Sequence, residues 1–267
     1  MPWRPRRNDQ TKAARAGKTL TDALKGDRLM KKHLLGLAAM LPLLALAADG
    51  MDIMQKGGAN PAAPPCMTCH GADGKGMAAS GFPRLAGLPE AYITKQLADF
   101  KAGRRKNPVM QPVAEALTDA EVAAVARAYA DMSKINVKAE PVARPEPGTG
   151  AWLALRGAWE RNIPECVLCH GPNGVGVGSV FPPLAGQSAL YIENQLNAWR
   201  GTPATPATRK TKAVPAVPPA RANDPNGLMA HIAQSLTSAE VKAVAEFFAG
   251  LGETEEPFDA SQHHRLR

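Results

Sequence analysis

Cys66-Met67-Thr68-Cys69-His70 and Cys166-Val167-Leu168-Cys169-His170 are two copies of one pattern, C-x-x-C-H, set 100 positions apart. Two thiols two residues apart reach the two vinyl groups on one edge of a porphyrin as thioethers, and the adjacent histidine is then held beneath the iron. The pattern predicts covalent haem c at both places. Cys66, Cys69, Cys166 and Cys169 would carry the porphyrins, and His70 and His170 would be the proximal ligands. These four cysteines are the chain's whole complement, so no thiol is left over. Two C-x-x-C pairs also suit one tetrahedral zinc or, in an exported chain, disulfides. Neither alternative explains the histidine after each pair, and a zinc site usually draws its pairs from a shorter stretch.

The sequence around the motifs repeats as well. Gly71, Gly74 and Gly76 answer to Gly171, Gly174 and Gly176. Phe82-Pro83-Arg84-Leu85-Ala86-Gly87 answers to Phe181-Pro182-Pro183-Leu184-Ala185-Gly186, and Tyr92, Ile93, Gln96, Leu97 and Phe100 answer to Tyr191, Ile192, Gln195, Leu196 and Trp199. Thr118-Asp119-Ala120-Glu121 and Thr237-Ser238-Ala239-Glu240 are capping boxes, which predict a helix start at each. Val122, Val125, Ala126 and Tyr129, like Val241, Val244, Ala245 and Phe248, fall at helical spacing and form one apolar stripe per helix. Middle helices are expected from about Pro89 to Lys101 and from Ser188 to Arg200. Trp152, Leu155 and Trp159 suggest a helix before the second motif. Its counterpart around Met51–Gln55 is weakened by Gly57-Gly58. Strand patterns are absent. The fold expected is all-α, with a first domain over 49–136, a Pro-rich linker over 137–149 and a second domain over 150–252. Proximal histidines usually donate their second ring N–H to a fixed oxygen, and the Pro83 and Pro182 carbonyls are the candidates.

Met110 lies 44 positions after Cys66 and Met229 lies 63 after Cys166, each ahead of a capped helix. Thioether sulfur favours ferrous iron and raises its potential. An iron bound by histidine and methionine passes electrons but has no open position for substrate. Met229 is the only methionine between Cys166 and the chain end. Met77 competes with Met110, but a ligand on the face opposite histidine needs more chain. His231 competes with Met229, although the first repeat has Pro112 at that place. His263 and His264 belong to a polar tail over 253–267.

Lys31 and Lys32 precede an apolar run from Leu34 to Leu46, followed by an A-x-A cleavage pattern, so residues 1–47 read as an N-terminal extension with a secretory signal. An uncleaved anchor is the alternative. Ten of the 32 basic residues but only three of the 24 acidic ones lie there, which leaves 22 basic against 21 acidic beyond it. The high overall pI is thus a property of the leader and gives no case for nucleic-acid binding. Thioether attachment of haem takes place outside the cytoplasm, and the periplasm is the expected location.

On these motifs the chain resembles a class I cytochrome c repeated twice, most closely the di-haem cytochrome c4 family. The resemblance spans roughly residues 50–252. It implies two all-helical domains with two haem c groups, ligation by His70 with Met110 and His170 with Met229, and electron shuttling between respiratory partners such as a terminal oxidase or reductase. Such a partner could also bring the chain to a membrane surface. The second domain departs from the pattern by an insert over 202–222 holding Arg209, Lys210, Lys212 and Arg221. The insert reads either as a solvated Pro/Ala loop or as a docking arm for an acidic partner. Alternatives to a carrier are a di-haem oxidoreductase of the thiosulfate dehydrogenase or peroxidase type, and a cytochrome subunit of a larger dehydrogenase. A thiosulfate dehydrogenase often uses cysteine as a sixth ligand, and none is free here. A peroxidase needs an iron that can open.

Overall fold

The computed structural model describes residues 48–134, 137, 144–202, 206, 209, 211–213 and 215–252. The leader and the polar tail lie outside the described residues, as do 138–143 of the linker and 203–205, 207, 208, 210 and 214 of the insert.

Among the described residues ten α-helices form, five in each half: α1 (Gly50–Lys56), α2 (Met67–His70), α3 (Glu90–Lys101), α4 (Met110–Ala116) and α5 (Asp119–Ala130), then α6 (Gly150–Arg156), α7 (Cys166–His170), α8 (Ala189–Arg200), α9 (Leu228–Ser235) and α10 (Ser238–Gly250). No strand occurs among the described residues, only isolated bridges. The fold is all-α. The two expected middle helices are α3 and α8, which start after Pro89 and Ser188; the Ser188 hydroxyl accepts the Tyr191 N–H.

Both capping boxes are present. Thr118 Oγ1 accepts the Glu121 N–H, while the Thr118 N–H donates to Glu121 Oε2 at 2.8 Å. Thr237 and Glu240 repeat this at the start of α10. Such a cap contributes about 1 kcal/mol. The stripes beneath contribute more, roughly 1.5–3 kcal/mol for each large apolar side chain. Val122, Val125, Ala126 and Tyr129 of α5 are all buried, as are Val241, Val244, Ala245 and Phe248 of α10. The caps set where each helix begins, and packing decides that it persists. The apolar side chains collect into two clusters, one built on α1, α3, α4 and α5 and the other on α6, α8, α9 and α10.

The first helix of each half crosses the last at very short range. A Cβ on Gly50 would stand 2.2 Å from the Ala124 carbonyl oxygen, and one on Gly150 2.0 Å from that of Ala243. Only glycine allows α1 onto α5 and α6 onto α10 at this distance. Gly57, whose φ is 94°, follows the last residue of α1 and ends the helix rather than interrupting it. In the second half the helix expected before the motif forms as α6 and holds Trp152 and Leu155, but it ends at Arg156. The helix α6 buries Leu153 and Ala154, whereas Trp159 lies beyond it in a short 3-10 turn and is 58% exposed. Met110 is the first residue of α4 and Met229 the second of α9, each ahead of its capped helix.

The halves are joined by backbone recognition. The side-chain amide of Gln187 accepts the Arg84 N–H and donates to the Arg84 carbonyl, both at 2.9 Å. Arg105 and Arg221 form an antiparallel bridge, with the Lys106 N–H donating to the Ala220 carbonyl and the Ala222 N–H to the Arg104 carbonyl, each at 2.7 Å. The end of the insert is therefore not a free arm: Arg221 is buried between the halves.

Two predictions follow from these packings. Gly150→Ala should lower stability by about 1–3 kcal/mol, the range for overpacking, whereas Gly250→Ala, with open space at its Cβ, should leave the thermal midpoint within about a degree. The second concerns Glu240. Its carboxylate takes a bidentate pair from Arg161, at 2.6 and 3.1 Å. With the Thr237 bonds, this holds it down to about 2 from an ordinary value of 4.5. A depressed carboxylate stabilises the fold above its ordinary value and loses that stabilisation as pH falls towards the folded one. Thermal scans of the natural protein and Glu240→Gln should differ by a constant margin of roughly 1–2 kcal/mol above pH 5. The margin should close between about pH 4.5 and 2; one that stays constant to pH 2 would contradict the assignment.

Candidate functional site

Each C-x-x-C-H motif is a single helical turn, α2 or α7, so its histidine is fixed to the same short rod as both cysteines. The imidazoles of His70 and His170 are buried. His70 Nδ1 lies 3.0 Å from the Pro83 carbonyl oxygen and His170 Nδ1 2.8 Å from that of Pro182. A carbonyl only accepts, so Nδ1 carries the proton and Nε2 presents its lone pair. These are the two carbonyls expected from the sequence. Burial pushes both histidines below their ordinary value, the proline carbonyls only partly opposing it, so both rings are neutral at pH 7. The phenylalanine before each proline meets the ring edge-on, Phe82 at 6.3 Å and Phe181 at 6.2 Å between centroids. The repeated F-P-x-L-A-G thus serves as a brace with two contact points on the imidazole. Its phenylalanine was not recognised as part of the site from sequence, although its place in the repeat was the available signal.

The first half encloses a cavity of about 560 Å³ whose wall includes Cys66, Cys69, His70 and Met110. Leu85, Leu97, Phe100 and Val125 give it apolar sides. Buried polar atoms are normally paired; His70 Nε2 is buried without a partner. An apolar hollow with two thiols at one side and an unpaired imidazole nitrogen suits a flat, covalently attached metallocycle, and the residues present fit a haem. Met77 is not in this wall. It is 43% exposed, on a turn bridged to Phe82. In the second half Cys166 and Met229 pack against the same apolar cluster. His231 is exposed, with its Nε2 3.2 Å from the Asn162 carbonyl oxygen. His263 and His264 lie outside the described residues. Burial raises the Cys66 thiol, and pushes that of Cys166 up to about 12. No group of three or more His, Cys, Asp or Glu side chains converges among the described residues as a metal cluster would require.

The cavity continues to the boundary between the halves, where Arg105 and Arg221 line it with Gln96, Tyr191 and Gln195. Arg105 donates to Gln96, Tyr191 and Gln195 at 2.8–2.9 Å and lies 4.5 Å from the centroid of Phe100. Arg221 donates to Asn223, Gln195 and Gln96 at 3.1–3.3 Å and lies 3.7 Å over Trp199. Burial, and then the neighbouring Arg105 charge, lower Arg221 to about 10. Asp99, the acid of this region, would be raised by burial, but bonds from Lys95, Asn223 and Arg104 hold it below the usual carboxylate range. The sequence reading placed Arg221 only among the cations of the insert and left Arg105 unassigned. The signal was the continuation of the repeat past Trp199, where Arg105-Lys106-Asn107-Pro108 answers loosely to Arg221-Ala222-Asn223-Asp224-Pro225.

Fold and site together define a chain of two haem c-binding helical domains. A family model for cytochrome c matches residues 48–127 and 162–252. The chain is 55% identical over 224 residues, 83% of its length and 95% of the relative's, to a protein of Stutzerimonas stutzeri (strain A1501) called "Thiosulfate dehydrogenase electron acceptor". It is 37% identical to the cytochrome c4 of Thiocapsa roseopersicina, covering 70% of this chain and 88% of that one. Among solved structures, a thiosulfate dehydrogenase from Marichromatium purpuratum, in its as-isolated form, superposes with a TM-score of 0.60 at 39% identity. That match covers 75% of this chain but only 39% of the longer one. The chain belongs to the cytochrome c family and is of the di-haem cytochrome c4 type. It carries two haem c groups and is an electron carrier. Among the described residues no helix is long and apolar enough to cross a membrane.

Proposed function

We propose that this protein is a periplasmic electron acceptor for a thiosulfate dehydrogenase and delivers the electrons to a further redox protein. His70 and Met110 would bind the first iron, and His170 and Met229 the second. What carries the reading is the 55% identity, over nearly the whole length of the relative, to a protein named for that task. The cysteine complement supports a carrier over the dehydrogenase itself, since all four cysteines fall within the two motifs and none remains to serve as a sixth ligand. The longer thiosulfate dehydrogenase structure, part of which this chain resembles, favours a working pair of this kind.

Haem c, when bound, supplies one reversible ferric–ferrous step per iron. The chain's own residues decide how that step behaves. Burial keeps each imidazole neutral, and the Pro83 and Pro182 carbonyls hold it in one tautomer. A thioether on the other face would close each iron to substrate and raise its potential. The apolar wall of the first cavity excludes water. Joining two thiosulfate ions through a new S–S bond releases two electrons, which a chain with two irons can accept one at each.

Stopped-flow mixing tests the reading. The oxidised protein should be reduced rapidly by thiosulfate plus the dehydrogenase, and not by thiosulfate alone. No acceleration by the dehydrogenase, or sustained thiosulfate oxidation by this chain alone, would overturn it. The ligands are tested by spectra. Met110→Ala should remove about half of the methionine-to-ferric-iron charge-transfer band and add a high-spin signal, while Met77→Ala keeps the whole band. An undiminished band in Met110→Ala would exclude Met110 as a ligand.

A further inference from the structure

Two guanidinium groups buried in one cluster are expensive unless an anion joins them. Arg105 and Arg221 are 7% and 6% exposed. Their hydrogen-bond partners are the neutral side chains of Gln96, Gln195, Tyr191 and Asn223. Neither forms an ion pair among the described residues. Asp99 is the acid of this cluster, and it is already bound by Lys95, Arg104 and Asn223. The cluster therefore holds four cations, Lys95, Arg104, Arg105 and Arg221, against one carboxylate. Both buried arginines line the cavity that also contains His70, Cys66 and Cys69. A haem entering that cavity brings two carboxylates of its own, which matches the missing charge in sign and in number.

We propose that Arg105 and Arg221 together form the binding site for the carboxylates of the first haem. The second domain would thereby contribute Arg221, from the end of its insert, to the cofactor site of the first. Several features support this arrangement. The Arg105–Arg221 backbone bridge fixes both guanidiniums at the boundary. The rings of Phe100 and Trp199 stack against them, which limits their motion. The Arg221 N–H also donates to the Ala198 carbonyl at 3.1 Å, anchoring the insert's end to α8. Guanidinium is suited to this task because its planar fork can hold a carboxylate by two parallel bonds. The functional consequence is electrostatic. Fixed positive charge beside a haem favours the ferrous state, so docking of the two halves raises the electron affinity of the first iron. By reciprocity, reduction of that iron tightens the docking. The end of the insert is then a potential-setting strap.

The inference rests on haem at His70 and not on which protein donates the electrons, so its test uses no dehydrogenase and can fail separately from the proposed function. Optical redox titrations are run on the two-haem forms of the natural protein, Arg221→Gln, Arg221→Lys and Arg105→Gln. Arg221→Gln and Arg105→Gln should each weaken electron binding at one iron by about tenfold, roughly 59 mV for one electron, with a smaller change at the other. Arg221→Lys keeps the charge and should retain most of the natural affinity. Unchanged potentials in both glutamine variants, even with a lowered thermal midpoint, would reduce the pair to a structural contact and overturn the proposal. An equal fall in the lysine variant would overturn it too. If Arg221→Gln fails to retain both haems, Arg105→Gln decides by the same criterion.

Discussion

One hydrogen bond, made twice, carries most of what this chain does: a proline carbonyl receiving Nδ1–H from a buried histidine. The bond selects the tautomer, leaves Nε2 as the electron-pair donor and fixes the ring plane. It depends on the motif helix at one end and on the F-P-x-L-A-G turn at the other. Those two pieces of chain meet because the last helix of each half packs behind them: Gly87 donates its N–H to the Tyr129 carbonyl, and Gly186 donates to that of Phe248. The crossings of α1 on α5 and α6 on α10, where only glycine fits, set the distance at which each half closes. Geometry at the imidazole is thus inherited from helix packing far from it.

The two halves use this frame in unequal ways. At the capped helices, Glu121 accepts the backbone N–H of Ala59 at 2.7 Å, whereas Glu240 takes the guanidinium of Arg161. At the boundary the first half offers a loop and the second an insert, and the resulting cluster is strongly cationic. A duplicated sequence has become a pair in which one member completes the surroundings of the other. That asymmetry is where the function of a two-centre carrier would be set, since identical halves would give the two electrons no direction.

Much of the fold could be read from sequence because it rests on local rules. Capping boxes, helical stripes and the double motif specify α5, α10, α2 and α7 without reference to anything distant. The Pro83 and Pro182 carbonyls were legible because a repeated proline next to a ligating histidine has a physical reason to be there. What escaped depends on contacts between segments far apart in the chain. The status of Gly57 as a helix end depends on φ, which composition does not reveal. Trp159 fits the spacing of a helix that had already ended at Arg156. Arg221 looks like one more solvated cation in a Pro/Ala stretch, and only tertiary packing over Trp199 removes it from water. The short helix that begins at Met110 is capped by Asn107 Oδ1 and closes the cavity wall with Met110 and Val113, whereas the one that begins at Leu228 packs Met229, Ile232 and Ala233 on the second apolar cluster.

The central claim is that both repeats hold haem covalently, with imidazole and thioether closing each iron. The most direct measurement is the intact mass of the mature protein after acid-acetone extraction, taken with its oxidised spectrum. The account predicts two haems retained per chain and a methionine-to-iron charge-transfer band at the intensity expected for two irons. Colour lost to the solvent, a single haem, or a high-spin ferric spectrum in the untreated protein would contradict it.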